Sequence, residues 1–116
     1  MSEAGSAGIP EDFENRAELH DKASHAVELL KAMANEWRLM ILCQLADGEK
    51  TVSELQSILG LSQSALSQHL AVLRRERVVS ARKQAQSVTY SLAGEAAPKV
   101  MHTLHEVFCE PQGGER

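Results

Sequence analysis

A mainly α-helical chain with one small β-ribbon is the fold class this sequence predicts, on three observations. Apolar residues recur at helical spacing through several windows, each bounded by capping or breaking residues. Near residue 90, Val88, Tyr90 and Leu92 alternate with Ser87, Thr89 and Ser91, the period-two pattern of a half-buried strand. The length, 116 residues, suits one domain with a single modest core. A signal peptide, a transmembrane run and an internal repeat are all missing from the sequence, so a soluble cytoplasmic protein is the expected outcome.

Taken in order, residues 1–11 are mostly small and polar and are expected to form a disordered tail. The domain is expected over 12–110, with a second tail at 111–116. A long helix is predicted from about Asp12 to Ala34, with Phe13, Ala17, Val27, Leu30 and Met33 as its apolar positions. Asn35 is the expected N-cap of a second helix through Leu45, whose core would be Trp37, Leu39, Met40, Ile41, Leu42 and Leu45; Asp47-Gly48 ends it. Thr51 and Glu54 have the spacing of a capping box, in which each side chain satisfies the other's backbone N–H. Val52, Leu55, Ile58 and Leu59 follow at helical spacing, and Gly60 suits a left-handed C-cap.

Ser62 then opens another helix after a short turn, with Leu61 turned inward. Leu66, Leu70 and Leu73 form its apolar stripe. At about 100° per residue, Ser64, Gln68, Ala71 and Arg75 fall on the opposite side, with Ser67 at the margin. That face carries no acid. Small and amide side chains allow close approach to base edges, and a Gln can pair with adenine through two hydrogen bonds. Two short helices joined this way form a helix-turn-helix, whose second helix enters the major groove. A plain amphipathic hairpin with a solvated polar side is the competing reading. The coincidence of cap, turn and uncharged face favours DNA.

Two strands are predicted next, Val78–Lys83 and Ser87–Leu92, joined by Lys83-Gln84-Ala85-Gln86, which lacks the Gly or Asn of a favoured tight turn. A helix-turn-helix followed by a ribbon is a winged helix. The predicted fold is therefore a winged helix-turn-helix of four helices, a two-stranded wing and a C-terminal helix from near Gly94–Pro98 to about Cys109, with Val100, Met101, Leu104, Val107 and Phe108 apolar. Charge agrees once it is divided. The chain holds 12 Lys and Arg against 16 Asp and Glu, net −4, but Leu61–Leu92 holds five basic residues and one acid, net +4, leaving −8 elsewhere. Phosphate contacts need such a local basic patch, and an acidic remainder limits nonspecific retention. The residues expected to meet double-stranded DNA are Ser62, Gln63, Ser64, Ser67, Gln68, His69 and Arg75 on the helix, with Arg82, Lys83, Gln84 and Gln86 on the wing.

The terminal helices carry more apolar surface than so small a core uses, which points to pairing with a second copy. A homodimer would set two reading helices one DNA turn apart, roughly 34–36 Å, over a palindromic operator.

Residues 29–92, from LLKAMANEWRLMILCQL through SQSALSQHLAVLRRERVVSARKQAQSVTYSL, resemble the ArsR–SmtB family of dimeric bacterial winged-helix repressors, and the resemblance extends to about Cys109. It implies that the first and last helices form the dimer interface, that the helix beginning near Ser62 reads the operator, and that an inducer releases it. Two departures stand out: relatives often carry Asp-Gly or Asn-Gly where this chain has Glu76-Arg77, and Trp37 holds a position more often polar.

Two cysteines bear on the inducer. Composition alone favours Cys43 as a small core residue in LMILCQL and Cys109 as a spare thiol in HEVFCE. The placement of ILC and FCE, with SQSALSQHL and RK-x-AQ-x-V-x-Y, is however similar to the persulfide-sensing branch of the family. That similarity implies that Cys43 and Cys109 are sensor thiols, joined by reactive sulfur species into a di- or polysulfide. Neither thiol is expected to ionise easily: Cys109 lies at a helix C-terminus beside Glu106 and Glu110, and Cys43 has apolar neighbours.

A metal ion is the rival inducer. His102, His105, Glu106 and Cys109 share the last helix, where zinc-sensing relatives bind metal between subunits. The early Asp-x-His of that motif is absent, and ELQSIL offers no thiol, so neither a metal nor a cofactor is expected. Cys109 with His105 could be cast as nucleophile and base. No oxyanion-type loop, phosphate-cradling glycines or paired carboxylates accompany them, and the helices are expected to leave little room for a deep pocket, so an enzyme is not expected.

Overall fold

The computed structural model describes residues 15–109. The expected tails, the helix start at Asp12, Phe13 and Glu110 lie outside the described residues. Five helices and three strands follow in the order α1 (Arg16–Met33), α2 (Glu36–Ala46), β1 (Lys50–Thr51), α3 (Val52–Leu59), α4 (Gln63–Arg75), β2 (Val79–Gln84), β3 (Ser87–Leu92) and α5 (Ala96–Phe108).

Caps explain most of these boundaries. Asn15 caps α1: its side chain accepts from the Glu18 N–H at 2.8 Å. Asn35 caps α2 by accepting from Arg38 N–H at 3.0 Å. Arg38 in turn donates to the carbonyls of Lys31 and Ala32, satisfying the end of α1. The predicted capping box is present, with Glu54 N–H donating to Thr51 Oγ1 at 3.1 Å and Thr51 N–H to Glu54 Oε1 at 2.8 Å. Gly60 closes α3 in the left-handed region, φ 72°.

The core centres on α2, which packs against α3, α4, α5 and β3. Ile41, Leu42, Leu55, Leu66, Leu70, Leu73 and Val78 are fully buried. Several residues expected inside are not. Trp37, Met40 and Ile58 are exposed, and Leu61 is half-buried. Val27 and Leu30 on α1 and Val107 and Phe108 on α5 are also exposed.

The ribbon is part of a three-stranded antiparallel sheet in the order β1-β3-β2. The sequence reading missed β1, which is two residues long and carries no alternation to detect. It also placed the first wing strand one residue early. Val78 is taken up by the helix end: Val78 N–H donates to Leu73 O at 2.8 Å and Arg77 N–H to Arg74 O at 2.9 Å, the two bonds of a Schellman motif. Arg77 takes φ 61° there, the left-handed position that a Gly occupies at low cost. Within β3 the expected faces are reversed in one respect: Thr89 is buried, while Val88, Tyr90 and Leu92 are half-buried. Thr89 lies between β1 and β2 on the central strand, opposite both Thr51 and Arg82, and is covered by neighbours on either side.

Candidate DNA interface and thiol cavity

Helix α4 buries its apolar stripe and exposes its polar side. Leu66, Leu70 and Leu73 point into the core, while Gln63, Ser64, Ser67, Gln68, Ala71, Arg74 and Arg75 are exposed and His69 is half-buried. Ser62 is exposed but engaged: its Oγ accepts from Ala65 N–H at 3.1 Å and lies 3.5 Å from Ser64 Oγ. No acid stands in the first turn of α4, and Arg74 and Arg75 close its last turn. Arg74 and Tyr90 join Ser67 and Arg75 around a concavity of about 350 Å³ where α4 meets β3. Both were missing from the predicted contact set. Arg74 was visible as charge; the approach of Tyr90 to α4 depends on how β3 packs.

On the wing, Lys83, Gln84 and Gln86 are exposed at the hairpin tip. A two-residue loop, Ala85-Gln86, joins paired Gln84 and Ser87. Ala85 takes φ 54°, so the absent Gly is replaced by a strained alanine at the first central position. Arg82 is placed differently. It donates from Nη1 to Glu49 Oε1 at 3.0 Å and from Nη2 to Glu49 Oε2 at 3.2 Å, with Gln84 Oε1 at 3.4 Å. This fork holds the Glu49 carboxyl below the usual carboxylate range, through the hydrogen bonds first and the adjacent positive charge second. Glu49 lies 33 residues from Arg82 in sequence, and no local pattern signals the pair.

Away from the exposed side of α4, α2 and α5 line an open cavity of about 520 Å³, larger than the helices were expected to leave. Leu39, Leu92, Met101, Leu104 and Phe108 supply apolar walls, and Cys43 and Cys109 both line it. Cys43 is exposed there, so it is not the packed core residue that composition favoured. Its thiol is pushed up from the ordinary value by partial burial first, then by the nearby Cys109 and Asp47. Cys109 is the C-cap of α5, its N–H donating to His105 O at 2.9 Å. His102 and Glu106 pair across one turn at 3.2 Å. His105 also lines the cavity. Among the described residues, no three His, Cys, Asp or Glu side chains converge as a metal site, and no helix is long and apolar enough to cross a membrane.

Comparison with known proteins identifies the family. Residues 35–81 match the family described as bacterial regulatory protein, arsR family. The chain is 52% identical over 96 residues to the transcriptional activator HlyU of Vibrio cholerae, an alignment covering 83% of this chain and 89% of that protein. The structure of reduced HlyU from Vibrio cholerae superposes with a TM-score of 0.79 at 52% identity, covering 82% of this chain and all of the other. The biofilm growth-associated repressor of Agrobacterium fabrum is 38% identical over 94 residues, 81% of this chain and 80% of that one. The homodimeric winged helix-turn-helix DNA-binding domain Mb0332 of Mycobacterium bovis superposes with a TM-score of 0.73 at 26% identity, covering 81% of this chain and 87% of the other. By its fold and these relatives, the chain belongs to the arsR family of bacterial DNA-binding transcriptional regulators.

Proposed function

We propose that this regulator is a homodimeric repressor, one domain over 12–110 with short tails, whose operator is released when reactive sulfur species join Cys43 to Cys109. The observation that carries the reading is the shared cavity: two thiols 66 positions apart in sequence line one pocket between the second and last helices. A sulfur link at that seam would tie the second helix covalently to the last. Ser62, Gln63, Ser64, Ser67, Gln68, His69 and Arg75 are assigned to the major groove, with Arg82, Lys83, Gln84 and Gln86 beside it. Exposed Val27, Leu30, Val107 and Phe108 support pairing through α1 and α5, as does the homodimeric relative.

The chemistry balances with a persulfide donor, RSSH. The Cys43 thiolate takes the sulfane sulfur and releases RSH, leaving a Cys43 persulfide. Attack by the Cys109 thiolate on the Cys43 sulfur then expels hydrosulfide and forms a disulfide. A second sulfane transfer before closure leaves a trisulfide instead, again with hydrosulfide as the leaving group. A raised thiol pKa slows casual oxidation, while a sulfane donor is already activated.

The test is binding to a duplex selected from a random pool by the reduced protein, with and without a persulfide donor, alongside a zinc titration. Wild type should release the duplex on donor treatment and Cys43→Ser should not, with intact mass showing the added sulfur or the Cys43–Cys109 link. Release by zinc in both proteins would favour a metal-responsive repressor using His102, His105, Glu106 and Cys109. A treated protein with neither added sulfur nor a link sinks the thiol reading.

A further inference from the structure

We infer that Glu49 acts as an internal phosphate mimic that holds Arg82 of the wing in reserve and thereby sets how tightly the protein grips DNA. The inference rests on the wing meeting DNA, as proposed above. Its basis is the sheet register. Thr51 and Arg82 both lie opposite Thr89, on the two flanks of the central strand. Glu49, just ahead of β1, therefore reaches across β3 and offers both carboxylate oxygens to both terminal nitrogens of the guanidinium. A carboxylate engaged in this fork occupies the donors a DNA phosphate would use. Lys83, next along the strand, is exposed and takes part in no comparable ion pair among the described residues. The wing therefore carries two cations of different availability: one open, and one held by an acid.

Both partners are half-exposed, with relative side-chain accessibilities of 52%. The pair is therefore weak enough for DNA to compete with it. Near DNA the two anions repel, and Arg82 is shared or exchanged between them. Glu49 thus lowers affinity without touching DNA, and does so through Arg82.

The experiment measures affinity and its salt dependence for wild type, Glu49→Gln, Arg82→Ala and the double variant on the duplex selected by the reduced protein, with thermal midpoints confirming that each variant is folded. Glu49→Gln is expected to bind roughly 2–5-fold more tightly and to steepen the log–log salt slope by about 0.9, one additional phosphate contact. The gain should vanish in the Arg82→Ala background. A gain of the same size in that background overturns the inference, since Glu49 would then act by general repulsion. Weaker binding by Glu49→Gln also overturns it, showing that the carboxylate positions Arg82 for DNA. If Gln68→Ala and Arg75→Ala leave binding unchanged as well, the DNA reading of the whole face fails; if they weaken it while Glu49→Gln is silent, the Glu49 inference alone fails.

Discussion

Cys43 shows how much one side chain depends on its surroundings. Its helix reads LMILCQL, a run that sequence composition treats as core, yet the thiol faces the cavity opposite Cys109. Burial and two neighbouring acidic groups raise its pKa. Alkylation of Cys43 by iodoacetamide, which consumes the thiolate, is expected to show a midpoint above the ordinary thiol range. The midpoint should fall in Cys109→Ala and, to a smaller degree, in Asp47→Asn; mass spectrometry of Cys43 peptides across a pH series checks both. An unmoved midpoint in Cys109→Ala would mean that the thiols do not sense one another. The linkage follows the same sign. A raised folded-state value means the neutral thiol favours folding, so this contribution is complete below the unfolded thiol's pKa and is lost as pH rises through the folded one.

At the scale of elements, the junction between α4 and β2 shows the physics most clearly. The left-handed position here suits a glycine, and Arg77 makes the Schellman turn at φ 61° in its place. A side chain in that region costs about 1 kcal/mol or somewhat more. Arg77→Gly is therefore expected to stabilise the protein by about 1 kcal/mol, raising the thermal midpoint by about 4–8 °C for a domain of this size. Calorimetry at fixed protein concentration measures it. A lower midpoint would show that the aliphatic part of Arg77 contributes more than its backbone strain removes. The helices from α2 to α4 were legible because their caps are local: Asn35, Thr51, Gly60 and Ser62 each act within three or four residues. The strand β1 was not, because two residues acquire strand geometry only by pairing with Tyr90 and Thr89 some forty positions on.

For the whole molecule, the exposed apolar positions of α1 and α5 bear on assembly. Leu30 is 54% exposed and Phe108 66%, apolar surface on both terminal helices that pairing with a second copy would bury. Leu30→Glu is expected to raise the dimer dissociation constant by at least about tenfold, since a charge would be buried without a partner. Sedimentation velocity reads the change directly. DNA affinity should fall with it, because two linked reading heads bind with a higher effective concentration than separate ones. A variant that stays dimeric would place the interface elsewhere.

The sequence by itself determined the winged helix-turn-helix, the acid-free outer face of α4 and the basic window around it. These rest on periodicity and on caps that act over a single turn, so neighbours in the chain suffice to specify them. Tertiary structure decided which apolar residues are core, that β1 completes the sheet, that Cys43 and Cys109 share a cavity, and that Glu49 holds Arg82. Each of those depends on residues tens of positions apart being brought together by the packing around α2, and a distance across a fold has no period to read.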